Sequence, residues 1–342
     1  MDLSNSQIEK IGKEIGKKIK GKTLFDEFSR GRYSTDASLY QIKPLGVVLP
    51  KDKGDVLSLM EYSQKHSIPL LARGGGSSQC GQTVGECIVL DYSRHQNKIL
   101  ELNVEERYVW VEPGIVLDHL NAYLKPYGLW YPVDVSTSSR ATIGGMTANN
   151  SCGSRSLYYG NMVHNVLAIE TILDDGSIHT FDTVNKNYLA TTNDQDRLYE
   201  IINKFIDVKQ QVKNEIDENW PQTQRRVGGY NIDLIDPNGF NSSSILVGSE
   251  GTLSLFNKIK LKLSEIPTNK VLGVCYFNSF HQAMELTKEM VKLKPTTVEL
   301  MDKNLLDLAK DIPMYAGGIR KYIKGNPEAV LMVEFIDTDP NV

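Results

Sequence analysis

Paired cysteines are missing from this chain. Its four cysteines, at positions 80, 87, 152 and 275, form no C-x-x-C pair. That spacing argues against a disulfide framework, a zinc site or an iron–sulfur ligand set. Long apolar runs are missing too: none approaches the roughly 20 residues that span a bilayer, and the N-terminus has no signal-peptide core. A cytoplasmic protein is the expectation. A net charge of -4 over 342 residues gives no reason to expect nucleic acid as a partner. His66, His95, His119, His179 and His281 show no metal-ligand spacing, so no metal site is expected. No internal repeat or low-complexity tract interrupts the chain.

A hydrophobic content of 40% over this length is enough for a sizeable core and for two domains. Residues 1–25 read as an amphipathic helix, with Ile8, Ile11, Ile15 and Ile19 on one stripe. Lys10, Lys13, Lys17, Lys18, Lys20 and Lys22 outnumber Asp2, Glu9 and Glu14 there. A basic amphipathic helix can lie on a membrane surface, which leaves peripheral attachment at the inner membrane face as an alternative. Gly12 and Gly16 weaken an autonomous helix by about 1 kcal/mol each, and docking on the protein's own core is the preferred reading.

Further along, residues 45–49 read as a strand, 53–66 as a helix and 68–72 as a strand, a βαβ unit with parallel strands. Strands follow at 88–92, 98–103 and 108–113, and a helix over 116–124. The run 166–173, the turn Asp174-Asp-Gly176 and the run 177–181 predict a hairpin. Residues 186–220 are polar and helical in pattern, and 245–247 and 253–263 are strand candidates. Parallel pairing early and antiparallel pairing later predicts an α+β domain of two lobes. After Ser264-Glu-Ile-Pro267 the pattern resets to β-α-β-α-β, with strands at 271–277, 298–301 and 329–336 and helices at 279–293 and 303–311. This second domain reads as begun and unfinished, which points to a piece of a longer protein.

Three segments carry the chemistry. The first is Arg73-Gly-Gly-Gly-Ser-Ser-Gln-Cys-Gly-Gln82, behind the second strand, where α/β sheets place ligands. Glycine permits positive φ and puts no Cβ between amide N–H groups and an anion. The loop lacks the Lys-Ser/Thr ending of a P-loop, and Gln79 stands where a G-x-G-x-x-G dinucleotide motif needs its third glycine. The second segment runs from Pro132-Val-Asp134 through Thr137-Ser-Ser-Arg-Ala-Thr-Ile-Gly-Gly145 to Asn149-Asn-Ser-Cys-Gly153, rich in hydroxyls, amides and small residues. The third is the turn Gly248-Ser-Glu-Gly-Thr252. Together they suit a large polar ligand.

In this order and spelling the three segments resemble the vanillyl-alcohol-oxidase-like, PCMH-type FAD-binding family. The likeness is to its D-lactate, glycolate and D-2-hydroxyglutarate dehydrogenases. The run from Ser138 to Ser156 is similar to the N-terminal part of the fused flavin and iron–sulfur oxidoreductases. The resemblance implies an FAD-binding domain over 26–265 and the start of a ferredoxin-like α/β cap domain over 266–342. It implies noncovalent FAD, since this loop has Ser77 and Ser78 where covalent members often place a histidine.

By matching position, Arg73, Gly74, Gly75, Gly76, Ser77, Ser78, Gln79, Gly81 and Gln82 would lie on the pyrophosphate. Thr137, Ser138, Thr142, Ile143, Gly144 and Gly145 would hold the ribityl and pyrophosphate, with Pro113, Pro132 and Asp134 beside them. Asn150 and Gly153 would lie near the isoalloxazine, and Gly160 at a nearby turn. Gly248, Glu250 and Gly251 would close the adenine and ribityl side. Arg225, Tyr230 and Asn231 are the substrate candidates, although an ordinary surface role for the Arg225-Arg226 pair is the stronger reading. The implied activity is oxidation of a 2-hydroxy acid, with an iron–sulfur domain, a quinone or a cytochrome as electron acceptor. The resemblance places the catalytic base and any iron–sulfur ligands beyond Val342. The rival readings are a flavin reductase fed by a nicotinamide nucleotide, and a nucleotide-binding module without catalysis.

Overall fold

The computed structural model describes residues 4–185 and 197–338. The calls on Asp2, on positions 186–196 of the polar helical stretch and on the last four residues of the cap lie outside the described residues. The chain divides into two compact units. The first comprises Met1–Tyr131, Val135–Ser151 and Met162–Ser264, and the second comprises Pro132–Asp134, Cys152–Asn161 and Glu265–Val342.

The first unit is built on two sheets. One is four-stranded, in the spatial order Lys22–Leu24, Gly46–Leu49, Ile88–Asp91, Leu70–Arg73. Its last three strands are parallel and the Lys22–Leu24 edge strand runs antiparallel. The expected βαβ unit is present, but its two strands are not neighbours: Ile88–Asp91 lies between them and pairs with both. The reason is visible in burial. Ile88, Val89 and Leu90 are each 0% exposed, and a strand apolar on both faces belongs in the middle of a covered sheet.

The helix Lys53–His66 covers one face of this sheet, placing Val56 and Leu59 against Val48, Ile88 and Leu90. Ile8 and Ile15 of the helix Asn5–Gly16 join the same core, with Ile11 and Ile19 packed against it. The isoleucine stripe is therefore docked on the protein's own core. Gly12 makes the docking possible, because a Cβ there would fall 2.6 Å from the Phe25 ring.

The second sheet is five-stranded and antiparallel, in the order Ile99–Asn103, Tyr108–Val111, Leu255–Lys262, Val166–Ile172, Ile178–Phe181. The early-parallel, late-antiparallel expectation holds, and the 166–181 hairpin forms with residues 174–176 as its turn. Residues 245–247, expected as a strand, instead close a helical turn, Ser243–Leu246. The Asn231 amide organises that turn by donating to the Ser244 and Val247 carbonyls. A run of three apolar residues cannot by itself tell strand from buried helix. The helices Arg197–Gln211 and Lys213–Asn219 fall inside the stretch read as helical, and Ile202 and Ile206 pack with Val184 and Phe240.

In the second unit, Asn269–Phe277 and Thr297–Asp302 both pair antiparallel with Ala329–Asp337, which lies between them. Alternate residues of the central strand serve opposite faces. Leu331 and Val333 pack with Ala283 of the helix Phe280–Lys292. Val330 and Met332 pack with Leu306 of the helix Lys303–Asp311 and Ile319 of the helix Pro313–Tyr322. This split β-α-β arrangement agrees with the ferredoxin-like α/β expectation. The last helix was not foreseen.

Two expected outcomes follow from buried polar groups. Asp55, 2% exposed, accepts the N–H groups of Lys20, Gly21 and Lys51 at 2.7, 2.8 and 2.8 Å. Asp55→Ala strands those donors and should lower the unfolding free energy by about 2–3 kcal/mol in a denaturant titration, with Asp55→Asn recovering part of the loss. Burial pushes the Cys87 thiol up to about 12, whereas an unfolded cysteine titrates near ~8.5. Above that pH the unfolded thiol ionises and the folded one does not, so stability should fall as pH rises through this window. Brief alkylation mapped by mass spectrometry should label exposed Cys80 and spare Cys87 until denaturant is added.

Candidate FAD site

The site in the first unit is organised by an arginine that faces inward. Arg73, the last residue of its strand, donates to the carbonyls of Thr35 at 2.8 Å, Thr83 at 3.0 Å and Tyr33 at 3.4 Å. Its guanidinium carbon lies 5.3 Å from the centre of the Tyr33 ring, within cation–π range. Burial lowers its pKa and the nearby Asp91 and Asp36 carboxylates raise it; it stays charged at neutral pH. The glycine loop turns around this post. At Gly76, where φ is +63°, a Cβ would sit 2.5 Å from an Arg73 nitrogen. Arg73 therefore shapes the loop, and the loop's backbone is what remains for a ligand.

That backbone is available. The N–H groups of Gly75, Gly76, Ser77, Ser78 and Gln79 have no acceptor among the described residues. Adjacent amides without protein partners, in glycine-rich backbone, form a concavity suited to an anion. The Ser78 hydroxyl donates to the side-chain amide oxygen of Gln82, Oε1. Ser77 makes no such bond among the described residues.

The second segment lies directly against the loop. A Cβ on Gly74 would fall 2.0 Å from Thr142 Oγ1, and one on Gly75 would fall 2.3 Å from the Arg140 carbonyl oxygen. Thr142 caps the helix Ile143–Asn149 by accepting from the Gly145 N–H. The N–H of Ile143 donates to the Ile115 carbonyl and that of Gly144 to the Pro113 carbonyl, at 2.9 and 2.7 Å. The opening amides of this helix are thus already engaged. Gly144 contributes by close approach, since a Cβ there would meet Pro113 at 2.6 Å. Ile143 is 0% exposed and anchors the helix in the core. Thr137 closes a turn, its carbonyl accepting from Arg140 and Ala141, and the Ser138 carbonyl accepts from Asp118.

The third segment docks on the far end of the same helix. Gly248 N–H donates to the Thr147 carbonyl and Glu250 N–H to the Ala148 carbonyl, each at 2.9 Å. Gly248, Glu250 and Gly251 all have positive φ, at 84°, 52° and 75°. The Glu250 carboxylate ties the three segments together: its Oε1 accepts from Asn149 Nδ2 at 2.9 Å and from Gln82 Nε2 at 3.3 Å. Two polar atoms nearby are buried without a partner among the described residues, Asn150 Nδ2 and Ser249 Oγ. Asn150 Oδ1 accepts from the Val163 N–H, which leaves its amide hydrogens for something other than protein.

The sequence-predicted residues divide between the units. Pro132, Asp134, Gly153 and Gly160 lie in the second. There the Asp134 carboxylate accepts from Ser154 Oγ and Arg155 N–H, and Gly153 lies so close that a Cβ would be 2.1 Å from the Asp134 carbonyl oxygen. Of the substrate candidates, Tyr230 bonds through its hydroxyl to Thr252. Asn231 is buried, with its amide committed to backbone carbonyls. Arg225 is exposed, while Arg226 pairs with Asp233 and lies over Trp220.

Asn149, Ser249 and the Tyr33, Thr35 and Thr83 collar around Arg73 were missed. Asn149 and Ser249 stood inside the quoted motifs and could have been named. The collar had no signal, because it acts through backbone carbonyls and one aromatic face.

A glycine cradle with unclaimed amides, braced by a carboxylate–amide network, defines the class: a binder of a large anionic cofactor. Comparison with known proteins gives the particulars. Residues 44–182 match the FAD binding domain family and residues 266–342 match the C-terminal domain of FAD linked oxidases. A D-2-hydroxyglutarate dehydrogenase of Haemophilus influenzae is 37% identical over 287 residues, covering 81% of this chain and 28% of that protein. One of Pseudomonas putida is 34% identical over 333 residues, covering 94% of this chain and 33% of that protein. The chain thus spans about a third of the length of these relatives. The solved alkyldihydroxyacetonephosphate synthase shares the fold, with a TM-score of 0.65 at 19% identity over 92% of this chain and 54% of that one. The chain belongs to the PCMH-type FAD-binding, FAD-linked oxidase family.

FAD fits the residues present: the amides of Gly75 to Gln79 suit its pyrophosphate, and the buried Asn150 amide lacks a partner. Gly75→Ala, which forces a Cβ onto backbone, should weaken FAD binding about tenfold or more in a flavin fluorescence titration. Gly31→Ala, with nothing within 4 Å of the added Cβ, should leave it unchanged.

Proposed function

We propose that this chain forms the flavin-binding part of a dehydrogenase that oxidises a 2-hydroxy acid, of the D configuration where it is chiral, such as D-lactate, glycolate or D-2-hydroxyglutarate. The observation that carries the reading is the run of five unclaimed amides in the glycine loop, in a chain of FAD-linked oxidase family. The names of the dehydrogenases it resembles supply the substrate class. FAD, when bound, supplies the hydride acceptor, and the protein supplies position and electrostatics.

In this reading residues 26–265 are the FAD domain and 266–342 the beginning of the cap. The loop amides hold the pyrophosphate, and the Asn150 amide donates to a polar edge of the flavin. Glu250, through Gln82 and Asn149, keeps the walls in register. Gly153 and Gly160 shape turns beside the cofactor, and Tyr230 and Arg225 face the substrate side. Binding is noncovalent, because Ser77 and Ser78 offer no attachment chemistry. Electrons leave to an iron–sulfur domain, a quinone or a cytochrome.

The purified protein should be yellow, and acid precipitation should release all its flavin to the supernatant. Retention of flavin in the pellet would show covalent attachment. Anaerobic titration of the full-length protein should show D-2-hydroxy acids bleaching the flavin band while NADPH leaves it intact. Bleaching by NADPH alone would establish the reductase instead, and a colourless protein that cannot be loaded with FAD would sink both.

A further inference from the structure

The first unit carries a second concavity, on the face of the parallel sheet turned away from the helix Lys53–His66. Successive residues of a strand point to opposite faces. Val48 packs under that helix, whereas Val47 and Val89 form a separate cluster with Leu24, Tyr33 and Leu49 against it. Leu24, Leu49 and Tyr33 floor a cavity of about 660 Å³, within the roughly 300–1,000 Å³ typical of small-molecule sites. Lys22, Arg32, Arg94 and His95 line it, with Asp91 as the one carboxylate among the lining residues. None of these residues is among those described above as holding the FAD cradle, apart from Tyr33, whose ring supports Arg73, and Asp91, whose charge acts on the Arg73 guanidinium.

The charges of this cavity do not balance. Asp91, 6% exposed, already accepts the Tyr33 hydroxyl at 2.6 Å and the Ser93 N–H at 2.8 Å. Lys22, Arg32 and Arg94 make no ion pair among the described residues; the Arg32 guanidinium rests over Phe28. Three permanent cations, all exposed, and a half-buried histidine thus line a cavity with an apolar floor and one engaged carboxylate. Like charges gathered beside a low-dielectric surface repel one another, and an anion placed among them removes that repulsion. Two guanidiniums suit bidentate capture of carboxylate or phosphate oxygens. The Tyr33, Leu24 and Leu49 floor suits a short hydrocarbon body.

We infer that this cavity is a second ligand site, separate from the FAD cradle, that binds an organic dianion with a small apolar body. A dicarboxylate and a phosphate ester share that chemistry. The site stands apart from the substrate proposed above, and it would survive if that substrate were wrong.

Calorimetric titration of FAD-saturated protein at low ionic strength tests it, with glutarate as the dicarboxylate probe, glycerol 3-phosphate as the phosphate ester and acetate as the monoanion. At least one dianion should bind in the submillimolar range and acetate should not, and the stronger of the two identifies the source of the dianion. Arg32→Ala combined with Arg94→Ala, and separately Lys22→Ala, should each weaken that dianion about tenfold or more while FAD content stays constant, showing that the fold is intact. A charge-matched control, Lys65→Ala with Lys288→Ala, should bind as the parent does. Absence of binding by either dianion up to about 10 mM, or equal weakening in the control, would overturn the site.

Discussion

The candidate site depends on where the Arg73 guanidinium goes. An arginine at the mouth of a glycine loop invites assignment to a phosphate. Here its donors close on the Tyr33, Thr35 and Thr83 carbonyls, and its face rests on the Tyr33 ring. A guanidinium offers five donors in a rigid fork and no acceptor, so it can pin several stretches of backbone at once. With that post in place the loop has one path around it, and its amides are left unclaimed. An anion held by backbone amides needs no side-chain charge, because the aligned N–H dipoles provide the field.

The rest of the cradle shows the same division between holding the walls and meeting the ligand. Thr142 caps the Ile143–Asn149 helix, Gly144 packs on Pro113, and Glu250 bridges Gln82 and Asn149. These are contacts of protein with protein. Glu250 takes up a positive φ that non-glycine residues seldom adopt, at a cost of order 1 kcal/mol, and its carboxylate then joins segments more than 160 residues apart in sequence. Preorganisation of this kind lowers the ordering cost of binding.

Much of this was legible from the chain. The glycine loop, the Thr142–Gly145 run and the Gly248–Gly251 turn could be read as one site, because special backbone positions demand glycine and a cap demands a hydroxyl. The strands at 45–49, 88–92 and 329–336 could be read from their apolar runs. Three kinds of feature were hidden. The insertion of Ile88–Asp91 between Gly46–Leu49 and Leu70–Arg73 was invisible, because pairing partners are chosen in space. The helical turn at Ser243–Leu246 was set by the distant Asn231 amide. The engagement of Arg73 ran through carbonyls, which carry no side-chain identity.

The sequence alone thus determined the local grammar: which segments turn tightly, which cross the core, and which family the three glycine segments resemble. Those properties follow from φ preferences, periodicity and the absence of a Cβ, all written residue by residue. Tertiary structure decided which polar groups are already engaged and which remain for a ligand. It turned Arg73, Asn231 and Gly144 into supports, and left the backbone amides of Gly75 to Gln79 and the Nδ2 group of Asn150 without partners among the described residues. The reason is that a hydrogen-bonding group has few partners to give, and only the folded chain settles which of them the protein itself has taken.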